Sequence, residues 1–346
     1  MSQLQLGLGA LGGVVLLGML AYYLWLAGKN RPRQPQAMPA GTSEPFGSEP
    51  TLDLEALDGA SEDDPGFSIP VPEKKPGLDA LIDVIAPIAL EAPISGDAVL
   101  AALPPTRRVG SKPFAVEGMN TDTKRWESPQ PGQRYSQLQA GLQLANRAGA
   151  LNDIEFSEFV MKAQNFCDVM NGTPDFPDMR REVARARELD QFASDHDAQI
   201  GFVLRARRSA WSPSYVQQMA ARLGFVPGSI AGRMVLPGAT GPVPVLSLAF
   251  DTQAALADDL SQSALRELNL ALDVPQVERA EQAFTRMCEA AQALAKEMDG
   301  IVTDDAGVPL PPEALAVIAG ELEQLYNTLD QRELSAGSVL ARRLFS

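Results

Sequence analysis

Leu268-Asn269-Leu270-Ala271-Leu272-Asp273 alternates leucine with smaller or polar residues, and Val274-Pro275 stops the run. A period of two puts the three leucines on one side of an extended strand and Asn269, Ala271 and Asp273 on the other. One side of that strand is suited to burial and the other is not. Strands of this kind make an antiparallel sheet with helices packed on one face. The expected fold class of the globular part is therefore α+β.

The flanking sequence supplies the helices. Ala280, Phe284, Met287, Cys288, Ala291, Leu294 and Met298 recur at helical spacing, which predicts a long amphipathic helix. Ile301 to Leu310 reads as a short strand and turn. Pro312 opens a last helix whose Leu315, Ile318, Leu322, Leu325 and Leu329 form one apolar stripe. Upstream, Gln199 to Ala206 suits a strand. Ser212-Pro213 then gives an N-cap and a proline at the first helical position. Val216, Met219, Ala220 and Leu223 line one side of that helix, and Gly224 fits the left-handed position after it. Ile230 to Leu236 and Val243 to Phe250 are further strands bounded by Gly and Pro.

An earlier stretch resembles this one. Asp79-Ala80-Leu81-Ile82 and Asp197-Ala198-Gln199-Ile200 each open an apolar run, 118 residues apart. Met170-Asn171-Gly172 and Met298-Asp299-Gly300 each end a long amphipathic segment, 128 residues apart. The pattern reads as an internal duplication. The first copy takes Leu81 to Leu90 as a strand and Ser95 to Leu103 as a short helix. Its Leu138, Ala140, Leu142 and Leu144 alternate with Gln137, Gln139 and Gln143, which suggests plain solvent-facing surface on the polar side. Phe156, Phe159, Ala163, Cys167 and Met170 mark its long helix, and Met179, Val183, Ala186 and Leu189 its last one. The expected boundaries are 77–195 for the first copy and 196–330 for the second. Residues 331–346, with Arg342 and Arg343, are a tail without a reading.

The other end of the chain differs. Leu4 to Leu26 carries no charge, and Lys29, Arg31 and Arg33 follow it. About 20 such residues cross a ~30 Å hydrocarbon core as a helix. A cleaved signal peptide would carry its charges before a shorter apolar core. Residues 1–28 are thus expected to be an uncleaved transmembrane anchor in the lipid bilayer, with the basic side cytoplasmic and the N-terminus periplasmic. Gly9 and Gly13 form a GxxxG through which two helices could self-associate, although a glycine-rich helix facing lipid is the plainer reading. Asn30 to Pro76 holds nine prolines, and nine acids fall between Glu44 and Glu73 with no Lys or Arg among them. Residues 29–76 are therefore expected to be a disordered acidic linker. Its typical reach is about 40 Å, and its extended limit is ~145 Å.

Little in the chain suggests catalysis. His196 is the one histidine and sits between Asp195 and Asp197, a position expected to be solvated. Cys167 and Cys288 each fall on an apolar stripe and read as core thiols. No Cys/His spacing suggests a metal, no Walker-type loop is present, and no cofactor is expected. Asp304-Asp305-Ala306-Gly307 lacks the further ligands of a calcium loop and reads as a strand-end turn. Arg205, Arg207 and Arg208 form a small basic cluster, by default a solvated edge and otherwise a contact for an acidic peptide. A net charge of −15 argues against nucleic acid.

The layout resembles the ZipA family of bacterial division proteins, which tether the tubulin-like FtsZ to the inner membrane. The likeness is carried by Gly224-Phe225, Leu246-Ser247-Leu248-Ala249, Val274-Pro275, Gly300-Ile301-Val302 and Asp304-Asp305. It covers roughly residues 196 to 330. It implies a six-stranded antiparallel sheet backed by three helices, whose open face holds the C-terminal peptide of FtsZ. On this chain that face would include Gln199, Gly201, Ile230, Gly232, Asp251, Asn269 and Ala271. Small and polar residues predominate there, unlike the bulky apolar lining of the family. The implied function is a non-enzymatic, single-pass inner-membrane tether that binds FtsZ and stabilises the division ring at the septum. The alternative is an envelope scaffold that binds another cytoplasmic partner through duplicated α+β domains.

Overall fold

The period-two stretches become strands, and the strands assemble into two antiparallel sheets. The computed structural model describes residues 77–239, 243–257, 259 and 263–346. The expected anchor and linker lie outside these residues. Among the described residues, no helix is long and apolar enough to cross a membrane.

The first lobe runs β1 (Asp83–Leu90), α1 (Gly96–Ala102), β2 (Arg108–Val109), β3 (Lys112–Asn120), β4 (Arg134–Gln143), α2 (Asp153–Met170), β5 (Gly172–Pro174) and α3 (Met179–His196). The second runs β6 (Gln199–Ala206), α4 (Pro213–Arg222), β7 (Val226–Pro227), β8 (Arg233–Leu236), β9 (Leu246–Ala249), α5 (Thr252–Ala255), β10 (Glu267–Asp273), α6 (Ala283–Met298), β11 (Gly300–Thr303), α7 (Pro312–Gln331) and α8 (Val339–Leu344). The first sheet has the order β2-β3-β4-β1-β5, with two-residue strands added at its rim. The second has six strands in the order β7-β8-β9-β10-β6-β11. In chain order β1, β3, β4 and β5 take the same places in the first sheet as β6, β9, β10 and β11 take in the second.

Helices cover one face of each sheet. Val84, Ala86, Ile88, Leu138, Ala140 and Leu142 pack beneath Phe156, Phe159, Phe166 and Val183 in the first lobe. Leu204, Leu248 and Leu270 pack beneath Val216, Met219, Met287, Leu294 and Leu329 in the second. Each such side chain taken from water contributes about 1.5–3 kcal/mol. Local signals fix the helix starts. Asn152 accepts from the amides of Ile154 and Glu155, while Glu155 reaches back to the Asn152 amide. This reciprocal cap satisfies donors that the first turn would leave orphaned. Replacing Asn152 with Ala should lower stability by about 1 kcal/mol in urea unfolding.

Several expectations need correction. Residues 80–82 form a turn, so the first strand begins at Asp83 and not at Leu81. The strand expected from Ile230 begins at Arg233, because Ile230 to Gly232 form a tight turn closed by the Arg233 amide on the Ile230 carbonyl. Gly232 takes φ +78° there, where a side chain would be strained. The strand expected from Val243 is the shorter β9. His196 is not freely solvated: it is half-buried at the end of α3, stacked on Phe192 with ring centroids 4.3 Å apart. Of the three glutamines read as plain surface, only Gln137 is exposed; Gln139 and Gln143 are 9% and 1% exposed.

Residues 331–346 account for Gln143. Ala341, Leu344 and Phe345 are fully buried. Gln143 Nε2 donates to the carbonyls of Arg343 (2.8 Å) and Ala145 (2.7 Å). Gln276 Nε2 donates to the Phe345 carbonyl at 2.7 Å from the second lobe. Arg147 clasps Asp197 and Asp273 with two bonds each, between 2.6 and 2.8 Å. Ile82 and Ala145 belong to the same buried cluster as Phe345 and Leu272. The two lobes therefore share apolar packing around α8 and the ion pairs of Arg147 with Asp197 and Asp273.

Candidate functional site

The helix-free face of the second sheet is set by parity and register. Val226, Val235, Ser247, Ala271 and Gly201 lie directly opposite one another across β7, β8, β9, β10 and β6. Opposed residues of an antiparallel pair share a face, so these five form one row. The next row is Arg233, Ala249, Asn269, Val203 and Thr303. Beyond it Arg205 stands opposite Glu267 and Ile301, and on the other side Gln199 stands opposite Asp273.

The floor of this face is shallow. Gly201, Ala271 and Ser247 carry little or no side chain, while Val226 and Val235 raise one end. At the other end the Asp304–Gly307 turn folds over the surface. Asp305 Oδ1 would lie 3.5 Å from a Cβ on Gly201, and Arg205 Nη1 crowds Gly307. Val203 lies between those contacts and is buried. The turn holds itself: the Val308 amide donates to Asp304 Oδ1 at 2.7 Å, and the Gly307 amide to the Asp304 carbonyl at 3.0 Å. Arg208 lies 3.5 Å from Asp299, and Arg205 3.8 Å from Glu267. A groove of about 380 Å³ adjoins the face, bordered by Ala249, Asp251, Thr252, Glu267 and Asn269.

Four of the seven expected residues come together. Gln199 and Gly201 on β6 and Asn269 and Ala271 on β10 are exposed on one face of adjacent strands. Asp251 lies past the end of β9, where its carboxylate accepts from the Gln253 amide at 2.8 Å and borders the adjoining groove. Ile230 and Gly232 do not join them. Ile230 is 53% exposed in the turn before β8. Gly232 buttresses the neighbouring turn, accepting the Phe250 amide at 2.9 Å; a Cβ on it would lie 2.7 Å from the Phe250 carbonyl oxygen. In β8 the even positions Met234 and Leu236 are buried and the odd ones look out. Extending an even-numbered face from Ile230 therefore selected the wrong parity. Arg233, Val235, Ser247 and Ala249 were missed. The alternation in Leu246-Ser247-Leu248-Ala249 carries the signal for the last two.

Among the described residues no group of three or more His, Cys, Asp or Glu could hold a metal. Burial pushes the Cys167 thiol up to about 11 and raises that of Cys288 as well, so neither is an activated nucleophile. Lys112 is buried in the first lobe, where desolvation lowers its pKa. Its ammonium bonds to Asn146 Oδ1 at 2.8 Å, Ser111 Oγ at 3.0 Å and the Gly149 carbonyl, a structural arrangement.

Residues 240–320 match the family model described as ZipA, C-terminal FtsZ-binding domain. Over these residues the match bears out the resemblance to the ZipA family. The match spans under a quarter of the chain and takes in β9, β10, α6, β11 and the start of α7. It therefore includes Asp251, Asn269 and Ala271 and stops short of β6, β7 and β8. No curated protein matches the chain. The ZipA-like lobe and the first lobe have their main strands in the same order, yet the match falls on the lobe whose sheet face is uncovered.

Proposed function

We propose that this chain is a non-enzymatic tether of the division ring. In this reading residues 4–28 anchor it in the inner membrane with the N-terminus periplasmic, residues 29–76 form the spacer, and the folded lobes lie in the cytoplasm at the division site. The exposed face of the second sheet takes the C-terminal peptide of FtsZ. The observation that carries this is the family match over the strands that bear Asn269 and Ala271. The uncharged N-terminal run with its trailing basic residues supports the anchor, and the acidic, proline-rich stretch supports the spacer.

The shallow floor fits an extended peptide that lies flat across the strands. Gly201, Ala271 and Ser247 permit close backbone approach, and Val226 and Val235 offer an apolar end. Titrating the full chain in detergent with an FtsZ C-terminal peptide should give saturable binding. Ala271→Asp should weaken it by about 1–3 kcal/mol, since it places an unpaired charge at the centre of the floor. The circular dichroism spectrum should not change, because Ala271 is exposed. An unaltered affinity in that variant would remove this face from the interaction. No saturation at millimolar peptide would remove FtsZ.

A second reading, an envelope scaffold with another partner, draws on the first lobe. Ile154, Met161 and Val169 of α2 are exposed large hydrophobics. Met161 and Val169 border a groove of about 540 Å³ together with Leu103 and Pro104. Apolar exposure on one helix is a common mark of contact surfaces. Midcell localisation of a tagged chain favours the tether; an even envelope distribution favours the scaffold.

A further inference from the structure

The two sheets differ in what lies on the face opposite their helices. In the second lobe that face is exposed at Gly201, Asn269 and Ala271. In the first, register puts Gln139 opposite Pro87 and Glu117, Gly141 opposite Ile85 and Ala115, and Gln143 opposite Asp83. The same parity argument makes this the helix-free face, yet Glu117 is 4% exposed and Asp83 is fully buried. At this end of the face the cover is the chain itself, while Pro87 and Gln137 toward the other end stay exposed. Leu78 stands over Gly141 so closely that a Cβ there would lie 2.4 Å from Leu78 Cδ2. The Leu78 amide donates to Glu117 Oε1 at 3.0 Å, and Gln139 Nε2 to Glu117 Oε2 at 2.8 Å. Arg343 holds the same peptide group from its carbonyl side: Nη1 donates to the Gly77 carbonyl at 3.1 Å and Nη2 to Asp83 Oδ1 at 2.5 Å.

We propose that residues Gly77–Asp79 are a built-in strap, held by Glu117 and Arg343, that closes the Asp83–Gly141 end of the first sheet's free face to partner peptides, so that each chain offers one fully open docking face. This rests on the reading of the second lobe's face as the docking site. The strap satisfies the buried Glu117 carboxylate and fills the hollow left by Gly141, so a peptide could lie across Gly141 only by displacing it.

Thiol labelling tests the closure independently of any peptide. In the full chain carrying Cys167→Ala and Cys288→Ala, Gln139→Cys reports the strapped face and Ala271→Cys the open one. Gln139→Cys should react with Ellman's reagent at least ~10-fold more slowly than Ala271→Cys. Leu78→Ala, which removes only the side chain over Gly141, should speed its labelling several-fold and leave Ala271→Cys unaffected. Equal rates for the two thiols with the strap intact would overturn the proposal. The FtsZ peptide should titrate to one per intact chain, and two per intact chain would also overturn it. Absence of all peptide binding would count against the second lobe's reading alone, since the labelling contrast still decides the strap.

Discussion

Arg343→Met should cost about 3–5 kcal/mol of stability at neutral pH, the loss expected when a buried carboxylate is stripped of its partner. Asp83 has no solvent exposure on its side chain, and Arg343 keeps 16%. Besides Arg343, the Asp83 carboxylate receives the Asp79 amide at 2.8 Å. Burial pushes the Asp83 carboxyl above the ordinary range, and Arg343 pulls it part of the way back. The sign of the pH effect follows. A carboxyl raised in the folded state binds protons more tightly there than in the unfolded chain, so its ionisation lowers stability as pH rises through the folded value. Removing Arg343 raises that value further and extends the fall to higher pH. The deficit of Arg343→Met relative to wild type should therefore be largest near pH 7 to 8 and shrink toward pH 4 to 5. Adding Asp83→Asn should restore most of it, since a neutral amide can still accept from Asp79. Urea midpoints across that range are the measurement. A loss under about 1 kcal/mol would show the pair to be solvent-screened in practice.

Trp211→Ala should be equally damaging, at about 3–5 kcal/mol. Trp211 is fully buried in the second lobe and joins three elements. Its backbone exchanges two 2.8 Å bonds with Leu265 ahead of β10, and its indole Nε1 donates to the Met298 carbonyl at the end of α6, also at 2.8 Å. Its ring packs against Gly300, where a Cβ would lie 3.3 Å away. Alanine leaves a cavity and an unpaired carbonyl together. Trp211→Phe keeps most of the volume and loses only the indole bond, so it should cost about 1–2 kcal/mol. Two similar urea midpoints would mean that the hydrogen bond outweighs the cavity.

The legible parts of this fold are those set by neighbours in the chain. The leucines of β10 fixed a buried side before any partner was known, and Ser212-Pro213 marked a helix start that the structure keeps. Of the face residues carried over from the family by strand position, Gln199, Gly201, Asn269 and Ala271 lie exposed on one face of adjacent strands. The errors have local physical causes too. A tight turn at Gly232 reset the parity of the next strand, so Ile230 and Gly232 fell off the face. The buried glutamines were illegible for another reason: the Arg343 carbonyl that Gln143 binds lies 200 residues away. No periodicity reports a contact of that kind. Polar side chains in alternation look the same whether water or distant backbone receives them.

The placement of Gly77 has a mechanical consequence. If residues 29–76 transmit a pull from a membrane, the load enters the folded body at Gly77 and passes to β1, an interior strand. Six consecutive residue pairs, Asp83–Gln143 through Ile88–Leu138, join β1 to β4. A tug along β1 strains these pairs together in shear and does not unzip them one at a time, and the Arg343 bonds to Gly77 and Asp83 are stretched first. Under such a pull, the joint that holds the lobes together is the first in line to bear tension.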